Sequence, residues 1–355
     1  MYFRGSYGTR DLFLILTHVD DLMLISQKHE ELKIFKENMK KKFIEISYTD
    51  TESDISFLGM VVELLDSGDV FLSQPGYAEK ICRDEGGTSE HSTPATADLF
   101  SDIDENKIDH KGEITLFRSR LMAMMYLATR TRPDILKECT FLAGFGCNPG
   151  KKAFKKLARV YGYVRKTKYY GIILGTSTFR LKLFTDAAYA LHVNARSHTG
   201  VLITFDGDVT GPVYCKSHVQ KIVTLSSTES ELVALVEGVK RLIPLARLMQ
   251  SIGVQSIEET SSLVVCDNRS VLHIITNGEG FSGKSRHMRV RWQFVTELIE
   301  EKFIKIDHVN TLVNLPDLFT KPMGGIRFRE LRRLILNMEH EDGLNEEDME
   351  DLIDP

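Results

Sequence analysis

Leu263-Val264-Val265-Cys266-Asp267 decides how the second half of the chain folds. Four apolar residues in a row have the length and composition of a strand buried on both faces. The run ends on a carboxylate. A buried, unpaired carboxylate costs several kcal/mol or is forced to take up a proton. A divalent cation removes that penalty, so the acid reads either as a ligand or as the cap of a helix over 268–276. Outward from this strand, the pattern predicts three strands upstream at 180–187, 199–205 and 209–216, then a helix at about 226–240. Downstream it predicts helices at 268–276 and 286–301, a strand at 303–309 and a short helix at 316–321. This succession specifies an α/β unit, a mixed sheet covered by helices.

Three more acids stand where acids are otherwise disfavoured. Asp186 ends the run Leu181-Lys182-Leu183-Phe184-Thr185. Ser226-Ser227-Thr228-Glu229-Ser230-Glu231-Leu232-Val233-Ala234 reads as a capped helix start. Its two glutamates are about 200° apart on a helix, so they cannot share one site. Glu231, which precedes the apolar Leu-Val-Ala face, is the better candidate. Asp317 follows Pro316 at a helix start, where an anion is favoured. Singly, each acid has a plain reading as a turn, a cap or a solvated side chain. Together they sit at strand ends and helix starts of one α/β pattern. Magnesium takes oxygen ligands, and two such ions about 4 Å apart activate water and stabilise the leaving oxygen in phosphodiester cleavage.

Six segments then occur in one order: Thr185-Asp186, Arg196-Ser197-His198-Thr199-Gly200, Leu225 through Glu231, Cys266-Asp267-Asn268-Arg269-Ser270, Ser285-Arg286-His287-Met288-Arg289-Val290-Arg291, and Pro316-Asp317-Leu318-Phe319-Thr320-Lys321-Pro322. In this the region 178–323 resembles the ribonuclease H domain of copia-type retrotransposon Pol polyproteins. The resemblance implies a ribonuclease H-like five-stranded mixed sheet and a nuclease that cuts the RNA strand of an RNA–DNA hybrid. It implies Asp186, Glu231, Asp267 and Asp317 as ligands of two Mg2+ or Mn2+ ions. The matching segments also put Arg196, Asn268, His287 and Arg291 on the nucleic acid, although His287 reads equally as a packing residue. Arg289 stands where the family usually has an acid, and Pro316 where it has a small residue.

Upstream, Leu12–Leu16 and Leu22–Ile25 read as a hairpin carrying Asp20 and Asp21 at its tip, with a helix over 29–42. His18-Val19-Asp20-Asp21 resembles the polymerase YVDD motif, with His18 in place of Tyr. Phe57-Leu58-Gly59-Met60, Leu72-Ser73-Gln74, Tyr126 through Ile135 and Asn148-Pro149-Gly150 follow in the order of the same polyprotein. The resemblance implies a partial α+β palm over 1–85 and a helical thumb or connection over 114–175. A linker at 86–113 separates them, the nuclease unit covers 176–323, and 324–355 is a tail. A polymerase needs a further aspartate and fingers from upstream of the hairpin. DNA synthesis by this chain alone is therefore not expected, and an upstream polymerase half or other Pol products are implied partners.

Composition fits a globular protein: 42% hydrophobic and 27% charged residues, with no apolar stretch long enough for a bilayer. Met1-Tyr2-Phe3-Arg4-Gly5 lacks the apolar core of a signal peptide. Five cysteines without CxxC spacing read as reduced thiols, and so as an intracellular protein, in a cytoplasmic particle or the nucleus. The net charge of −5 is concentrated in a tail, acidic from about 339, that has no Lys or Arg. A basic stretch from Lys151 to Lys168, including Lys155 and Lys156, is interleaved with Tyr161, Tyr163, Tyr169 and Tyr170. It suits phosphates and base stacking, or else a solvated helix face with its aromatics in the core. Two competing functions remain: a catalytically decayed hybrid-binding remnant, and an integrase-type nuclease using Glu300 or Glu301.

Overall fold

The computed structural model describes residues 1–6, 8, 11–43, 45–48, 55–100, 110–175, 178–207, 211–254, 261–277 and 286–338, except the side chains of residues 286 and 287. The acidic tail from 339, part of the linker and the His287 side chain thus lie outside the described residues.

The chain begins with an antiparallel sheet of β1 (Tyr2–Arg4), β2 (Phe13–His18) and β3 (Asp21–Ser26). Helix α1 (His29–Lys42) packs on it through Phe35, whose ring centroid lies 5.8 Å from that of Phe13. The β2–β3 turn holds Val19 at φ 54°, an unusual conformation for a β-branched residue. Strands β4 (Ile55–Phe57), β5 (Met60–Leu64) and β6 (Val70–Ser73) form an antiparallel meander. Four helices follow, α2 (Pro75–Glu85), α3 (Lys111–Arg130), α4 (Leu136–Ala143) and α5 (Lys151–Lys166). Then β7 (Gly171–Leu174) returns to pair with β6. The sequence pattern suggests only helices over 114–175. The extra strand satisfies the edge of β6, whose backbone groups need partners.

The remaining elements are β8 (Leu181–Ala188), β9 (His198–Phe205), β10 (Pro212–Val219), α6 (Ser227–Ser251), β11 (Ser262–Cys266), α7 (Arg269–Asn277), α8 (Arg286–Glu300), β12 (Ile304–His308), α9 (Asp317–Thr320) and α10 (Gly325–Leu336). The sheet order is β10-β9-β8-β11-β12, with β8–β10 antiparallel and β11 parallel to both β8 and β12. This is the five-stranded mixed sheet that the strand pattern predicts. Helix α6 runs past residue 240 and through Pro244, because Leu242 and Ala246 are still buried beyond the expected end.

Side chains alternate across this sheet with period two. Leu183, Val201, Ile203, Val264 and Cys266 join α6, α7 and α8 in one core. Phe184, Leu202 and Val265 face the other way and join helices α2–α5 and α10 in a second core. The sheet is therefore covered on both faces. The segment from 324, expected to begin a tail, instead forms α10 over Gly325–Leu336, with Phe328, Leu331, Ile335 and Leu336 buried. The helical spacing of those four residues is the physical reason, and the acidic composition beyond them obscures it in the sequence.

Candidate active site

Parallel pairing sets Val265 beside Phe184. Two residues further on, Asp267 and Asp186 fall on the same face of neighbouring strands. Asp186 is 1% exposed. Its antiparallel partner in β9 is Gly200. A Cβ at Gly200 would come within 2.9 Å of the Pro316 carbonyl oxygen and of Thr320 Cγ2. The missing side chain lets α9 lie directly on the strands, which brings Asp317, Thr320 and Lys321 to Asp186. From the other side, Gln220 holds the start of α6 to β9. Its amide donates to Thr199 Oγ1 and to the Ser230 carbonyl, each at 2.9 Å. That places Glu231, which is 6% exposed.

The four sequence-predicted acids converge. Ligand atoms of Asp186, Asp267 and Asp317 lie within 4.8 Å of one another, as do those of Glu231, Cys266 and Asp267. Glu229 is elsewhere: its carboxylate accepts from the Leu225 amide at 2.7 Å, and its own amide donates to Ser226 Oγ at 3.2 Å. It caps the helix. Asp267 is not a cap, because Asn268 Oδ1 accepts from the Ser270 and Val271 amides at the start of α7.

The cluster carries more negative charge than its protein partners offset. Burial first, then Asp186 and Asp267, pushes the Glu231 carboxyl well above the usual range. Burial, then Asp186, raises Asp267 and lifts Asp317 to about 6. The Lys321 ammonium lies 3.1 Å from Asp186 Oδ1 and 2.6 Å from Asp317 Oδ1. Burial alone would lower the Lys321 pKa, and these two acids raise it instead. Thr320 Oγ1 donates to Asp186 Oδ2, and Asn314 Nδ2 to Asp186 Oδ1 at 3.3 Å. Among the described residues, Glu231 Oε2 and Asn314 Oδ1 are buried without a hydrogen-bond partner. Crowded hard oxygens with an orphaned carboxylate oxygen fit a divalent cation. The Cys266 thiol is held far above its usual pKa by burial and is a poor ligand for such an ion.

Lys321, Thr320 and Asn314 have no assigned role in the sequence reading. The signal was present: Thr320 and Lys321 lie three and four residues after Asp317, on its helical face. Lys137 of α4 reaches the same segment, donating to the Lys321 carbonyl at 2.9 Å.

Other expected residues are dispersed. Asp20 and Asp21 sit exposed on the β2–β3 hairpin and join no group of three potential metal-ligating side chains among the described residues. Arg196 is exposed in the β8–β9 loop, and Arg291 is half-buried on α8. Lys155 is exposed, but Lys156 ties down the linker, donating to the Asp98 and Leu99 carbonyls at 3.0 and 2.7 Å. Tyr161 and Tyr163 are fully buried, so base stacking by this pair is ruled out. Their hydroxyls bond the Arg120 carbonyl and the Asp134 carboxylate. Glu300 and Glu301 are exposed and lie outside the acid cluster.

Sheet order and acid placement define an α/β unit of ribonuclease H-like fold with a candidate metal centre at the strand ends. No family model matches the chain. It is 27% identical over 345 residues to the retrovirus-related Pol polyprotein from transposon TNT 1-94 of Nicotiana tabacum, covering 94% of this chain and 25% of that one. The Pol polyprotein from transposon RE2 of Arabidopsis thaliana is 26% identical over 330 residues, with 92% and 22% covered. An uncharacterized mitochondrial protein of Arabidopsis thaliana is 30% identical over 224 residues, with 62% and 89% covered. Over nine-tenths of its length the chain is thus similar to retrovirus-related Pol polyproteins, and it spans about a quarter of the length of the two that it matches here. Similar solved structures include ribonuclease H1 from Halobacterium salinarum, with 18% identity, a TM-score of 0.30, and 40% of this chain and 94% of that one covered. Another is the foamy viral protease–reverse transcriptase in complex with an RNA/DNA hybrid, with 15% identity, a TM-score of 0.47, and 87% and 37% covered. Among the described residues no helix is long and apolar enough to cross a membrane.

Proposed function

We propose that this chain is a divalent-metal-dependent ribonuclease H that hydrolyses the RNA strand of an RNA–DNA hybrid. The observation that carries the reading is the convergence of Asp186, Glu231, Asp267 and Asp317, with Glu231 Oε2 left unpartnered among the described residues. Mg2+ or Mn2+ would be held by these four carboxylates. When bound, a pair of such ions supplies an activated water and stabilises the departing 3′ oxygen. The protein's own part is positioning. Thr320 and Asn314 fix both oxygens of Asp186, Gly200 admits α9, and Gln220 anchors the start of α6. Hybrid recognition would rest on backbone and 2′-hydroxyl contacts, with little sequence preference. Arg196, Arg291 and Lys155 are the candidate phosphate contacts that remain.

The test is cleavage of a labelled hybrid by the purified chain in magnesium. RNA-strand cleavage is expected, reduced in Asp267→Asn by more than the roughly 100-fold typical of lost outer-shell partners. Hybrid binding without cleavage would favour a decayed remnant. Glu231→Gln should abolish cleavage and Glu301→Gln should leave it nearly intact, whereas the opposite pattern would support the integrase-type reading. No polymerase step is assigned to Asp20 and Asp21. The polymerase half of such a polyprotein is the proposed partner for DNA synthesis.

A further inference from the structure

Resting on the metal-centre reading, we infer that Lys321 is an internal counter-ion, which holds Asp186 and Asp317 together in the metal-free protein and which a divalent ion must displace. Its ammonium lies between the two carboxylates, 3.1 and 2.6 Å from one oxygen of each. An ammonium and a divalent cation need the same lone pairs, so they compete for this position.

The surroundings suit displacement rather than permanent pairing. The Lys321 side chain is 37% exposed, whereas that of Asp186 is 1% exposed. The ammonium therefore has a path to solvent that the carboxylate lacks. The backbone cannot follow it, because Lys137 holds the Lys321 carbonyl. Asp186 does not depend on the ammonium for its orientation, since Thr320 and Asn314 keep their bonds to it. A released Lys321 thus leaves behind a formed site and stays tethered at its mouth.

The experiment is Mn2+ binding to the full chain, read directly from the free-ion electron paramagnetic resonance signal. Wild type is compared with Lys321→Met, Lys321→Gln and Lys321→Arg, and with Asp186→Asn as a site control. With the competitor removed, Lys321→Met and Lys321→Gln should bind Mn2+ about tenfold more tightly than wild type. Lys321→Arg should return affinity toward wild type. Circular dichroism identifies any variant that fails to fold, and either neutral variant alone suffices. Unchanged or weaker binding in a folded neutral variant would overturn the counter-ion role, while wild-type binding that is lost in Asp186→Asn would leave the metal centre standing. No binding to any of these proteins would remove both.

Discussion

Glu229 and Glu231 stand two residues apart and have separate jobs. The helical angle between them is legible in the sequence, and so is the choice of the residue beside the apolar face. Glu229→Gln should weaken the cap of α6 and lower stability by about 0.5–1 kcal/mol, with cleavage essentially unchanged. Asp317 yields a pH test. Its pKa rises on folding to about 6, from an ordinary 3.8. Its ionised form therefore disfavours folding above about pH 6, and the penalty fades as pH falls toward 4. In chelator, Asp317→Asn should melt above wild type near neutral pH, with the gap closing below about pH 6. A gap independent of pH would show that Asp317 is not raised. The partners Lys321, Thr320 and Asn314 were harder to read, because a sequence reveals the charge of an acid more readily than what neutralises it.

At the level of elements, strand alternation already places Asp186 and Asp267 at strand ends, and the apolar runs give the sheet. What the sequence does not show is how closely α9 approaches β9. Gly200 decides that, through contacts more than a hundred residues away in sequence. Gly200→Ala should lift α9, with Asp317 and Lys321, off Asp186. Hybrid cleavage should then fall by about 10–100-fold, the range seen when supporting partners of a metal site are lost, while far-ultraviolet circular dichroism is retained. Unaltered cleavage would mean that α9 accommodates the methyl group. The basic helix α5 teaches the converse lesson. Its composition suggests a nucleic-acid face, but the helical period turns Tyr161 and Tyr163 inward and Lys156 onto the linker.

Across the whole molecule, a buried polar knot joins distant segments. Arg132, 1% exposed, bonds Asp134 through two nitrogens at 2.9 and 2.8 Å and also the Thr167 carbonyl and hydroxyl. Tyr163 bonds Asp134, and Arg332 of α10 reaches the Tyr163 hydroxyl at 3.2 Å. Arg132→Met would strand the Asp134 carboxylate and should cost about 3–5 kcal/mol, read as a lower melting temperature. The helices of 114–175 were visible in the sequence, but their seat on the nuclease sheet was not, since contacts between distant segments leave no local periodicity.

Helix α10 fills a core whose long helices otherwise come from residues 75–166, with the short α9 beside it. A growing chain on the ribosome makes those early helices first and must then thread out the entire five-stranded sheet before the closing helix exists. Through that interval the sheet can already cover part of this core, but the side of Tyr163 that Phe328 closes stays open. Closure of that core therefore waits for residue 336 to emerge, and slower translation should lengthen the interval in which it is open to proteolysis.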